Sequence, residues 1–263
     1  MPTVAGFYFA ESNLAKTPRI PVLLIHGAGS DHLCWPPEIR RIAGERVLAF
    51  DLPGHGRSGG ICEQSVGGYA AQTLRFLDAL GIYRAVFVGH SLGGAIALWS
   101  ALNSPDRTAA IGLIASGASF KIPDGLLNGL VSQTTLPEAL ALLRAHLFSR
   151  RAEKSLVEKV MQSFGKARLS QLQSDWKAAA DFDLRWQISG VRAPVWAAVG
   201  LEDNLSPPAL MRYLASQLPQ IKVLQVDGAG HMVMLEQPGK VGQGLNQFLK
   251  SLPLNLPENW PVA

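Results

Sequence analysis

Six short apolar runs punctuate the chain, at 22–25, 47–50, 85–88, 111–114, 195–199 and 223–226. They do not alternate with polar residues, which is the pattern of strands covered on both faces. Between most of them apolar positions recur at helical spacing. Ser65 stands where a helix reaching Leu80 needs its N-cap, with Gly81 as the stop, and further helices are predicted over 92–103 and 207–218. Strand and helix therefore alternate, and the predicted fold class is α/β, with a mostly parallel central sheet covered by helices on both faces. Phe7, Tyr8 and Phe9 mark the start of an antiparallel edge strand, and the proline- and asparagine-bearing tail from Leu252 reads as irregular surface chain.

The alternation breaks between Ser119 and Ser189. Leu126, Leu127, Leu130 and Val131 form one helical stripe, Leu140, Leu143 and Leu147 a second, and Leu156, Val157, Val160, Met161 and Phe164 a third. Thr135, ahead of Pro137 and Glu138, reads as a helix start, and the strand pattern resumes only after Pro194. The expected organisation is a core of residues 1–118 and 190–263, with a helical insertion over 119–189 placed before the penultimate strand. No repeat or low-complexity tract interrupts it.

At 263 residues, 48% hydrophobic and 17% charged, the chain suits one α/β domain with an insertion, buries a sizeable core and is too apolar for a disordered protein. Its net charge is +4, and residues 119–189 hold ten basic against seven acidic side chains. Arg144, Arg150, Arg151 and Lys154 are densest there, but Glu138, Glu153 and Glu158 are interleaved. That mixture reads as a solvated helix face rather than a surface for nucleic acid or membrane, with attraction of an acid-bearing substrate as the alternative. Cys34 and Cys62 read as free thiols. The stretch from Met1 to Ala15 has no basic region followed by an apolar run, and no segment is long and apolar enough to span a bilayer, so a cytoplasmic protein is expected.

The chemistry concentrates where strands end. Gly89, His90, Ser91, Leu92 and Gly93 form a GxSxG pattern between an apolar strand and a helical run, the context in which a serine is lifted out of a sheet on a tight turn. A serine hydroxyl is a poor nucleophile at neutral pH. It needs an imidazole to take its proton and a carboxylate to fix the imidazole's tautomer. Asp203 follows the strand ending near Gly200, and His231 follows the strand ending at Val226, so serine, acid and histidine come in that order. Glu202 is a rival acid, offset by one residue. His90 adjoins the serine, whereas the base must come from across the pocket. His32 and His146 read as incidental. No His, Cys and carboxylate spacing suits a metal, and no GxGxxG or P-loop pattern is present, so no cofactor is implied.

With these residues in place the chain resembles the α/β-hydrolase superfamily, and within it the capped, esterase-like members, over nearly its whole length. The stretch His26-Gly27-Ala28-Gly29 resembles the family's oxyanion loop, and Asp51-Leu52-Pro53-Gly54-His55-Gly56-Arg57-Ser58 its next strand-end loop. The serine turn and the Gly-His-Met segment at 230–232 complete the set, each at a strand's C-terminal end. The resemblance implies an oxyanion hole built from the backbone N–H groups of Ala28 and Leu92. It makes His26 a structural turn histidine and leaves His55 and Arg57 to brace their loop. Trp35, Phe120, Trp176 and Met232 are candidates for lining a substrate pocket, with core or helix packing as the equal alternative.

Ser91 at the nucleophile position excludes the aspartate-dependent dehalogenases and epoxide hydrolases of the superfamily. The function implied is a hydrolase of small or medium carboxylic esters, working through an acyl-enzyme. Lactonases, thioesterases and hydrolases of carbon–carbon bonds are alternatives on the same fold. A small-molecule receptor that retains the triad, or a lyase or cofactor-free oxygenase using His231 and Asp203 alone, is the alternative from another class. The expected partner is a small ester, and neither nucleic acid nor membrane.

Overall fold

The computed structural model describes residues 3–13 and 19–255. Its strands are β1 (Thr3–Val4), β2 (Phe7–Asn13), β3 (Val22–Ile25), β4 (Arg46–Phe50), β5 (Ala85–His90), β6 (Thr108–Ile114), β7 (Val195–Gly200) and β8 (Lys222–Val226). They form one sheet in the order β1-β2-β4-β3-β5-β6-β7-β8. β1 with β2 and β2 with β4 are antiparallel, and the remaining pairs are parallel. The six apolar runs are the six parallel strands, and β3, β5 and β7 are buried at every position. β8, at the sheet edge, keeps Lys222 and Gln225 exposed. β2 is antiparallel as expected, but the two-residue β1 lies outside it, so β2 is not the edge.

The helices are α1 (Pro37–Arg40), α2 (Val66–Ala79), α3 (Leu92–Asn103), α4 (Leu126–Gly129), α5 (Leu136–Leu147), α6 (Lys154–Lys166), α7 (Leu169–Ala180), α8 (Pro208–Gln217), α9 (Val233–Glu236) and α10 (Pro238–Lys250). Ser65 caps α2 by accepting from Gly68 N–H at 3.1 Å. The apolar face of α2 meets the sheet through an aromatic cluster in which Phe76 stacks on Phe50 at 4.6 Å and meets Phe7 and Phe9 edge-on. α3 is apolar nearly all round and lies buried against the central strands.

Between β6 and β7 the described chain holds four helices, α4 to α7, and its base is closed by a β-bridge between Ser119 and Asp183. The fourth, α7, lies outside the three sequence stripes. Thr135 does precede α5, although its hydroxyl bonds Ser132 and does not cap the helix. Cys34 and Cys62 are free. The tail is less irregular than expected at its start. Leu254 is buried and accepts from Ile20 N–H at 2.8 Å, and Asn255 bridges to Arg19. The rest of the tail, 256–263, lies outside the described residues, as do positions 1–2 and 14–15 of the amino-terminal stretch.

Strand register decides which loops become neighbours. Ile25 pairs with Gly89, so the loops after β3 and β5 leave the sheet side by side. Gly200 pairs with Val226, which does the same for the loops carrying Asp203 and His231. All four emerge at the C-terminal end of the parallel sheet, where such folds place their ligands.

Candidate active site

Ser91 sits between the end of β5 and the first residue of α3 with φ 51° and ψ −117°. This is a backbone region that residues with a side chain seldom occupy. The turn is held by Ser91 N–H donating to Ile114 O at 2.9 Å, and by Gly94 N–H and the Ser116 hydroxyl donating to Ser91 O at 2.9 and 2.8 Å. It also depends on close backbone approach. A Cβ on Gly89 would come within 2.0 Å of the Gly93 backbone, and one on Gly93 within 2.0 Å of Ile25 O.

Across the sheet end, His231 Nδ1–H is shared between both Asp203 oxygens, at 3.1 and 3.0 Å. The same carboxylate accepts from the backbone N–H groups of Leu205 and Ser206 and from the Ser206 hydroxyl, each at 2.9 Å. Burial works against the charge on Asp203, but the adjoining imidazole and these donors hold its carboxyl below the usual carboxylate range. With Nδ1 as the donor, Nε2 of His231 is the nitrogen left with a lone pair. The loop carrying the imidazole is fixed from two sides. His90 Nε2–H donates to His231 O at 3.0 Å, and Glu236 accepts from Gly230 N–H at 2.9 Å and from Ser149 N–H at 3.0 Å. Glu202 does not approach His231. It accepts from Arg150 N–H at 2.9 Å. Ser206 and Glu236 carry no sequence signal, because their roles rest on contacts across loops.

Ser91 and His231 line one cavity, and among the described residues no hydrogen bond joins them, as is common before a substrate engages such a site. Ala28 and Ser30 line it from the loop after β3, Leu147, Phe164 and Trp176 from α5, α6 and α7, and His90 and Met232 from beside the two polar groups. The space is about 10 Å³, barely room for one water. Burial pushes the His90 pKa down to about 3, with the nearby His231 adding to the effect, so His90 faces the cavity as a neutral ring. Ala28 N–H has no acceptor among the described residues, and Leu92 N–H opens α3, where no intrahelical partner exists. Of the four pocket candidates, Trp176 and Met232 line the cavity. Trp35 is wholly buried in the core, and Phe120 packs against Phe182 at 6.0 Å. Neither belongs to the cavity wall.

The remaining polar residues brace the loops. His26 Nδ1–H donates to Gly27 O at 2.9 Å while its Nε2 accepts from Leu52 N–H at 3.1 Å, which ties the loop after β3 to the end of β4. Burial and the neighbouring His55 push its pKa down to about 4, so the ring is neutral. His32 donates to Asp51 through both its backbone N–H and Nδ1, and Arg57 N–H reaches the other Asp51 oxygen. Asp31, His32 and Asp51 bring one potential metal-ligand atom each within 4.8 Å of one another. His32 and Asp51 are already engaged with each other, and Asp31 accepts from Leu33 N–H at 2.7 Å, so the group reads as a brace. His146 bonds Leu142 O within its own helix.

Known proteins share this fold. The model of the alpha/beta hydrolase family matches residues 22–243. The chain is 26% identical to 3-oxoadipate enol-lactonase 1 of Acinetobacter baylyi over 88% of its length and 89% of that protein. It is 34% identical to the dihydrolipoyllysine-residue acetyltransferase component of the acetoin cleaving system of Pseudomonas putida, over 88% of this chain and 63% of that one. A thermophilic esterase from Thermogutta terrifontis, with malate bound, superposes with a TM-score of 0.82 at 25% identity and covers 93% of both chains. Among the described residues no helix is long and apolar enough to cross a membrane. With the family's model matching most of its length, this protein belongs to the alpha/beta hydrolase family.

Proposed function

We propose that the chain is a serine hydrolase that cleaves small or medium carboxylic esters through an acyl-enzyme. The observation that carries this reading is the cavity shared by Ser91 and His231, with His231 Nδ1–H held by Asp203 so that Nε2 is the basic nitrogen. His231 Nε2 takes the hydroxyl proton as Ser91 Oγ attacks the carbonyl carbon, and the resulting oxyanion accepts from Ala28 and Leu92 N–H. The imidazolium then protonates the departing alcohol. A water, deprotonated by the same nitrogen, attacks the acyl-enzyme and releases the acid and free Ser91.

In this reading residues 119–189 act as a lid over the core. Leu147, Phe164 and Trp176 wall the cavity, which favours a compact apolar acyl group shielded from water. The cavity is narrow in this conformation, and a shift of α5 or α6 widens it to admit substrate. A lactone is the second substrate class, supported by the likeness to an enol-lactonase.

The test is covalent trapping with a p-nitrophenyl alkylphosphonate, together with burst kinetics on p-nitrophenyl esters and lactones of graded length. One phosphonyl group on Ser91 and a stoichiometric burst are expected. Turnover that survives Ser91→Ala overturns the covalent mechanism.

A further inference from the structure

Asp175 stands on α7, yet its hydrogen-bond partners come from the core. Its side chain is fully buried. Oδ2 accepts from Gly29 N–H and from His55 Nε2–H, both at 2.8 Å, and Oδ1 accepts from the Tyr69 hydroxyl. These donors belong to the loop after β3, the loop after β4 and α2, and lie 146, 120 and 106 residues away in the chain. His55 donates from both nitrogens, the other to Pro53 O at 3.0 Å, so it is the imidazolium that balances the carboxylate. A buried carboxylate persists only when it is paired and hydrogen-bonded in this way.

Gly29 follows Ala28, the proposed oxyanion donor. Its backbone has φ +67°, and a Cβ there would lie 2.6 Å from Leu172 Cδ2 and 2.8 Å from Phe164 Cε1, so α6 and α7 rest directly on this loop. Two consecutive peptides of the loop are held in different ways. The Gly27 carbonyl accepts from His26 Nδ1–H at 2.9 Å and Ser30 N–H at 3.3 Å, which sends the Ala28 N–H of the same planar unit the opposite way. Among the described residues, the next unit, Ala28–Gly29, is held through Gly29 N–H by Asp175 alone.

We infer that Asp175 is a positioning residue for acyl transfer: by gripping the Ala28–Gly29 peptide from the lid, it keeps Ala28 N–H aimed at the oxygen that becomes the oxyanion. Seating α7 thus fixes the second of the loop's two peptides, beside the one that His26 and Ser30 hold. Asp175 touches no substrate. The inference rests on the proposed acyl-enzyme reading and adds that the lid completes the site.

The test compares Asp175→Ala, Asp175→Asn and Tyr69→Phe with the wild type, counting active sites by phosphonate titration so that misfolded protein drops out. Asp175→Ala should lower kcat per titrated site by about ten- to hundredfold with KM changed by less than about threefold, since a misaimed donor acts on the transition state. Affinity for an alkylboronic acid, which mimics the tetrahedral intermediate, should fall by a similar factor, while affinity for the product acid stays level. Asp175→Asn keeps an oxygen facing Gly29 and should recover most of kcat. Tyr69→Phe weakens the carboxylate's surroundings but leaves the Gly29 bond, and should cost less than about threefold in kcat while lowering the melting temperature. If Asp175→Ala does not fold, His55→Gln combined with Asp175→Ala removes the uncompensated buried charge and carries the same expectation.

A kcat per site and a boronate affinity within about twofold of wild type in the alanine variant would overturn the inference while wild-type turnover keeps the ester reading intact. A wild-type chain that neither turns over an ester nor binds the boronate overturns both.

Discussion

Asp203 and Glu202 are neighbours in the chain and serve different partners: Asp203 meets His231 Nδ1 at 3.0 Å, whereas Glu202 accepts the backbone N–H of Arg150 at 2.9 Å. Only the first can orient the imidazole. Asp203→Asn should therefore reduce kcat by roughly 10⁴-fold, because the amide favours the wrong tautomer. Glu202→Gln should stay within about twofold and cost at most about 1 kcal/mol of stability. Steady-state kinetics of both variants on one ester decide the matter, and equal losses would refute the assignment of the acid.

The strained turn at Ser91 separates stability from activity. Ser91→Ala and Ser91→Gly should both lose roughly 10³-fold or more in turnover. With φ at 51°, glycine relieves strain that alanine retains, so Ser91→Gly should be the more stable of the two by about 1 kcal/mol. Urea denaturation of the two variants measures the difference.

The buried His55 and Asp175 pair makes stability depend on alkaline pH. Burial opposes the charge on His55, yet the Asp175 carboxylate against it pushes its pKa up to about 10, with Cys62 close by. A histidine raised in the folded state contributes stability that is complete below its unfolded pKa of about 6.5 and fades as pH climbs through 10. Neutral His26 and His90, with pKa values pushed down to about 4 and about 3, act on the other side, removing stability as pH falls below about 6.5. Melting temperatures between pH 6 and 10 should decline in the wild type, and His55→Gln should flatten that limb.

Phe164 walls the cavity from α6 and packs over Gly29. Phe164→Leu should enlarge the acyl space at a cost of about 1–2 kcal/mol. The expected outcome is a shift in kcat/KM toward longer acyl chains within a graded ester series. An unchanged chain-length profile would remove Phe164 from the acyl wall.

Much of this architecture was legible because local rules govern it. Strands buried on both faces require unbroken apolar runs, so the six parallel strands could be marked along the chain, and Ser65 caps α2 because an exposed helix start wants an oxygen acceptor. The turn at Ser91 is visible because its glycines sit in a fixed pattern around the serine, Gly89 demanded by the Gly93 backbone four residues on, although Gly93 itself is demanded by the distant Ile25 carbonyl. What the amino-acid order left open depended on side chains distant in sequence. Trp35 and Trp176 are alike as residues, and only packing sends one into the core and the other to the cavity wall. A lone aspartate on a helix reads as a solvated residue. Asp175 gains its significance from three donors more than a hundred residues away, brought together by strand register and by the docking of α7, and no local pattern encodes that meeting.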